Sequence, residues 1–90
     1  MSKETPEEGK LIGKVTHYFG KIEVAIIKLF DCLEIGDIIR IVGGETDFQQ
    51  TVKSIEIEHQ KVKRAKAKDT IGLKIDQKVR EGYGVYKISE

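Results

Sequence analysis

The sequence predicts an all-β domain, a six-stranded antiparallel β-barrel. Three observations carry that expectation. Short segments rich in Val, Ile and aromatic residues recur along the chain, and turns built on Gly or Asp interrupt them. No segment keeps apolar residues at helical spacing long enough for a stable helix.

Residues 1–9 hold one Pro, one Gly and mixed charge, with Met1 the only apolar side chain. They read as a flexible N-terminal tail, which leaves residues 10–90 as one domain. In the first strand, Leu11, Gly13, Val15, His17 and Phe19 alternate with Ile12, Lys14, Thr16 and Tyr18. Gly20-Lys21 breaks it. Residues 22–30, IEVAIIKLF, form the second strand, because three isoleucines and a valine within six residues favour a strand over a helix.

Leu33-Glu34-Ile35-Gly36-Asp37 follows as a turn: Gly tolerates positive φ, and Asp bonds nearby backbone amides. Residues 38–42 form the third strand, and Gly43-Gly44-Glu45-Thr46 is a hairpin turn. The fourth strand starts at Phe48 with apolar positions at 48 and 52, then changes parity to 55 and 57. Strict alternation needs an extra residue to do that, so a β-bulge is expected near Lys53-Ser54. Residues 71–75 and 85–88 complete the set, with a turn at 81–84 before the last strand. The expected core comprises Val15, Val24, Ile26, Ile39, Ile41, Val52, Ile55, Ile71, Leu73 and Val85.

Ninety residues, 39% of them apolar and 34% charged, suit one small core. A single cysteine, Cys32, excludes an internal disulfide and fits a reducing compartment. The chain has no 18-residue apolar run, and its start lacks an apolar signal core, so a cytoplasmic protein without membrane contact is expected.

Candidates for catalysis are few. His17 and His59 fall on different strands, and Cys32 lies by a turn. Their bland readings are strand histidines and a packed thiol. A zinc site needs closely spaced ligand pairs, and the chain has none. Asp37 and Asp69 each precede a strand, where local hydrogen bonding explains them. Glu56 and Glu58 alternate with Ile55 and Ile57 and so face solvent. The expectation is a non-enzymatic binding module with no cofactor, metal or small-molecule substrate.

One stretch stands out. Lys61, Lys63, Arg64, Lys66 and Lys68 supply five of the 16 basic residues, leaving 11 to face 15 acidic ones elsewhere. Lys74 extends the candidate nucleic-acid-binding set, with Lys78 and Arg80 close behind. The run is too short for an amphipathic helix. It suits a connector with one helical turn, in which Val62 and Ala65 tuck inward and the cations point out. Two readings stay open: a solvated connector, or a cluster that neutralises phosphates. No aromatic residue is interleaved for base stacking, so base-specific recognition has little support.

Gly13-Lys14-Val15, L-x-I-G-D at 33–37, I-R-I-V-G at 39–43, V-K-S-I at 52–55 and A-K-A-K-D-T-I-G-L-K at 65–74 form an ordered series. The series resembles the β-barrel second domain of translation GTPases such as elongation factor Tu. It is more closely similar to small elongation-factor-like proteins and to the C-terminal domain of collagenase-like peptidases, some of which are connected with RNA base hydroxylation. The resemblance covers residues 10–88 and implies the fold more strongly than a function. It implies first a structured RNA (tRNA or rRNA) bound through the basic connector, in translation or RNA modification, and as the alternative a separately encoded peptidase-like or RNA-modifying catalytic subunit on which the barrel docks. Two departures matter. Lys68 stands where the GTPase pattern often has Gly, and Tyr83 where the last turn usually has Asp. The GTPase itself is missing, since no phosphate-binding G-x-x-x-x-G-K-[ST] loop occurs.

Overall fold

A computed structural model describes residues 9–88. The expected tail, residues 1–9, thus lies almost wholly outside the described residues. The chain is all-β, and among the described residues ten strands occur. They are β1 (Lys10–Phe19), β2 (Val24–Leu29), β3 (Leu33–Glu34), β4 (Ile38–Gly43), β5 (Thr46–Thr51), β6 (Ile55–Ile57), β7 (Gln60–Val62), β8 (Arg64–Ala65), β9 (Thr70–Lys74) and β10 (Gly84–Ile88). Eight form one sheet in the order β5-β4-β10-β1-β2-β9-β6-β7, and β3 pairs with β8 in a second sheet. Each pairing is antiparallel.

This corrects the six-strand count. The expected fourth strand is two, β5 and β6, which belong to different parts of the sheet order. Residues 52–54 are the crossing between them, not a bulge. The parity change seen in sequence is real, but its cause is a change of partner. Register breaks appear instead in β1, between Leu11 and Gly13 and between Val15 and His17. The basic stretch contains no helical turn; it forms β7, β8 and a tight turn.

Among the described residues, no pairing joins β5 to β7, so the ladder is open in its hydrogen bonds. A side chain ties its β5 edge instead. Gln50 Nε2 donates to the Lys74 carbonyl at 2.8 Å, and the Asp76 amide donates to Gln50 Oε1 at 2.8 Å. Gln50 is buried, and these two bonds satisfy both ends of its amide.

All strands except β5 and β7 contribute buried apolar side chains to one core, joined by Val52, Ile75 and Val79 from the connections, and Phe48 of β5 and Val62 of β7 pack against it. Ile12, Ala25, Ile27, Leu33, Ile39, Ile41, Ile55 and Val85 are each fully inaccessible. Burying each aliphatic side chain of this size contributes roughly 1.5–3 kcal/mol. Gly13 belongs here by necessity. A Cβ there would sit 2.9 Å from both Ile27 Cγ2 and the Lys28 carbonyl oxygen, so only Gly lets β1 approach β2 so closely.

Eight of the ten expected core residues are buried. Val24 and Ile26 are not; Ala25, Ile27 and Leu29 take the inner face of β2. Both faces of this strand are apolar, so composition alone does not set its phase. Lys28, in phase with Val24 and Ile26, marks the outer face.

Three turns repeat one design. In residues 34–37, 66–69 and 80–83, the fourth residue's amide donates to the first residue's carbonyl at 3.1, 3.1 and 3.3 Å. The third residue is left-handed each time: Gly36 at φ 98°, Lys68 at 78° and Gly82 at 93°. Each turn clamps one buried residue between its third and fourth positions. Val52, Leu29 and Val15 accept from the amides of Gly36, Lys68 and Gly82, and donate to the carbonyls of Asp37, Asp69 and Tyr83. In the first two turns the Asp Oδ2 also accepts the first residue's amide at 2.9 Å, as local chemistry predicts. Tyr83 has no such acceptor, and its ring covers Gly43 instead.

Candidate docking groove and basic edge

The six candidate cations are all exposed, but they are not equivalent. Lys61 lies in β7, Lys63 at the bend after it, Arg64 in β8, Lys66 and Lys68 in the 66–69 turn, and Lys74 at the end of β9. The expected anchors hold: Ala65 is buried and Val62 packs against the core. Two cations are engaged. Arg64 Nη2 lies 3.5 Å from Glu34 Oε2, and Lys74 Nζ lies 3.8 Å from Glu23 Oε1 while donating to the Ile22 carbonyl at 3.3 Å. Such exposed pairs contribute little stability. Lys61, Lys63, Lys66 and Lys68 make no ion pair among the described residues. Because β7 ends the sheet order, Lys61 also sits where a charge blocks strand addition at an exposed edge.

The outer face of β1, β2, β9 and β6 carries a feature that sequence reasoning missed. Phe19 and Ile22 are 45% and 57% exposed, and Val24 and Ile26 stand beside them on the outer face of β2. Next in the sheet comes Gly72 of β9, paired with Ile26 on one side and Glu56 on the other. With no side chain at Gly72, a groove of about 570 Å³ opens between an apolar wall from β1–β2 and a polar wall from the β6–β7 hairpin. Glu56, Glu58 and His59 line that second wall together with Ile57, and Lys68 and Asp69 border the groove as well. The sequence signal for it was the phase of β2: with Lys28 outward, Val24 and Ile26 must be outward too.

Cys32, His17 and His59 remain on separate elements. Cys32 is exposed, and its amide donates to Asp31 Oδ1 at 2.7 Å. A 2.6 Å pair with Lys10 holds the Asp31 carboxyl below its usual range and raises the Lys10 amine. His17 Nδ1 lies 3.4 Å from Glu81 Oε2, and its ring meets Phe19 edge-on at 4.4 Å. His59 is at the β6–β7 tip. Among the described residues, no group of three or more His, Cys, Asp or Glu side chains is arranged to hold a metal ion. No helix there is long and apolar enough to cross a membrane.

The chain is 41% identical over 80 residues to an uncharacterized protease of Methanocaldococcus jannaschii, a match covering 88% of this chain. It spans only 20% of that protein's length. The fold is that of a U32 peptidase C-terminal domain. Two crystal structures of this domain, from a Geobacillus thermoleovorans protein described as a U32 peptidase, superpose with TM-scores of 0.83 and 0.82. Sequence identity is 18% and 20%, and the matches cover 87% and 98% of this chain and 99% and 100% of those domains. No family model matches the sequence. The C-terminal domain of collagenase-like peptidases, expected from the ordered turn motifs, is therefore the resemblance that the comparisons support.

Proposed function

We propose that this chain is a non-catalytic docking module that seats on a peptidase-like catalytic body through the groove on its outer face. The exposed apolar wall carries this reading. Phe19, Ile22, Val24 and Ile26 line one groove together, whereas the other exposed large apolar side chains, Leu11, Phe30 and Ile35, lie outside it, and apolar strips of this kind mark interaction sites. The similarity to a much longer protease supplies the partner's chemistry, because four-fifths of that protein lies outside the match.

The test uses the Methanocaldococcus jannaschii protein with its matching segment deleted, titrated with this chain in a calorimeter. Binding in the micromolar range is expected. Gly72→Leu, which fills the groove, should weaken it by more than about tenfold. A Cβ at Gly72 meets its nearest atom, Val24 Cγ1, at 3.4 Å, an ordinary contact, and circular dichroism checks that the leucine variant folds. Absence of binding by the wild-type chain overturns the reading.

A second reading rests on Lys61, Lys63, Lys66 and Lys68, which have no ion-pair partners among the described residues. In this translation-factor-like reading they contact the phosphates of a structured RNA, tRNA or rRNA, and Arg64 and Lys74 join by leaving Glu34 and Glu23. Affinity for tRNA should then fall steeply with salt, log K dropping by roughly 0.7–0.9 per phosphate contact. Changing Lys63, Lys66 and Lys68 to Glu should nearly abolish binding and shift stability by less than about 1 kcal/mol. Unchanged tRNA affinity in that variant excludes the basic edge as an RNA site. Both readings suit a cytoplasmic protein.

A further inference from the structure

Resting on the docking reading, we infer that the groove receives a lysine or arginine side chain from its protein partner. Its walls differ in polarity. Val24 and Ile26 line one side, and Glu56 and Glu58 the other, with Gly72 as the floor between Ile26 and Glu56. A wholly apolar occupant would desolvate the two carboxylates without compensating them. A long basic side chain satisfies both walls, its methylene stem against the isoleucine and valine and its charged head at the glutamates.

The glutamates are available for this. Neither makes an ion pair among the described residues, although Lys61 stands directly across the strand pair from Glu56. The hairpin tip fixes where Glu58 sits. Ile57 pairs with Gln60 around a two-residue loop, and both loop residues, Glu58 at φ 52° and His59 at φ 69°, are left-handed. Asn-Gly suits that loop far better. The tight loop holds Glu58 and His59 at the rim of the groove. The groove's own cation, Lys68, means that a bare ammonium gains little there. The stem's contact with the apolar wall is what selects a side chain over a free ion.

Amide shifts of the isotope-labelled chain measure this directly. The probes are three peptides, acetyl-Ala-Lys-Ala-amide and its arginine and norleucine counterparts. The lysine and arginine peptides should shift the amides of Ile26, Glu56 and Gly72, and bind about tenfold more tightly than the norleucine peptide. The double change Glu56→Gln and Glu58→Gln should remove that preference and leave the thermal midpoint unchanged. Equal binding of the norleucine peptide overturns the inference, as do shifts that map elsewhere. The same double variant, titrated against the truncated protease, separates this inference from the reading beneath it. Loss of binding with Gly72→Leu but not with the double variant leaves the docking face standing and removes the cation. Full binding by both removes the docking face itself.

Discussion

Lys68 is clamped to Leu29. At φ 78° its amide donates to the Leu29 carbonyl at 2.9 Å, and the Leu29 amide donates to the carbonyl of Asp69 at 2.9 Å. Gly36 and Gly82 do the same work on Val52 and Val15 without a side chain. The lysine therefore occupies a position whose backbone suits glycine, and its presence there costs about 1 kcal/mol.

Lys68→Gly should accordingly raise stability by about 1 kcal/mol, read from urea unfolding. Gly36→Ala should lower it by a similar amount. A Cβ at Gly36 meets nothing within 4 Å, so that loss isolates the backbone term. A stability loss in Lys68→Gly would mean that the side chain, not the backbone, matters at this turn.

Tyr83 and Gly43 form a second dependent pair. The Tyr83 ring lies where a side chain at Gly43 would project. Gly43→Ala should cost about 1–3 kcal/mol by overpacking. In a Tyr83→Ala background that cost should fall below about 1 kcal/mol, and a double-mutant cycle reads the coupling. Additive effects would place the strain elsewhere.

The phase of β2 is tested by neighbouring isoleucines. Ile27 is fully buried and Ile26 half-buried on the opposite face. Ile27→Ala should cost about 2–5 kcal/mol, and Ile26→Ala less than about 1 kcal/mol. The reverse order would restore the phase expected from sequence.

Acid sensitivity should follow Asp47. Arg40 donates to both of its oxygens, from Nε at 2.7 Å and Nη2 at 2.6 Å, and these bonds hold the Asp47 carboxyl below the usual carboxylate range. A depressed folded pKa adds stability above the ordinary, unfolded pKa and loses it as pH falls through the folded one. Asp47→Asn should therefore be less stable than wild type near neutral pH. The gap should close only once pH falls through the depressed folded pKa of Asp47, where both forms carry a neutral side chain. A gap that persists in acid would assign the effect to packing.

The sequence by itself determined the turns and most of the strands, because their causes are local. Gly36-Asp37 and Gly82 announce their turns through backbone freedom and short-range hydrogen bonds, and Asp69 announces a third even with Lys68 beside it. The inward positions of Val62 and Ala65 were legible for a similar reason, being the apolar members of a charged run. Only the tertiary structure decided that residues 48–57 divide between two places in the sheet, and it settled the phase of β2, for which Lys28 was the lone marker in the sequence. Alternation has a period of two but no intrinsic phase. The partner strands set that phase, and the β1–β2 pairing itself shifts register between Val15 and His17. The groove depends on the same long-range registry, since Ile26, Gly72 and Glu56 become neighbours only when β2, β9 and β6 lie side by side.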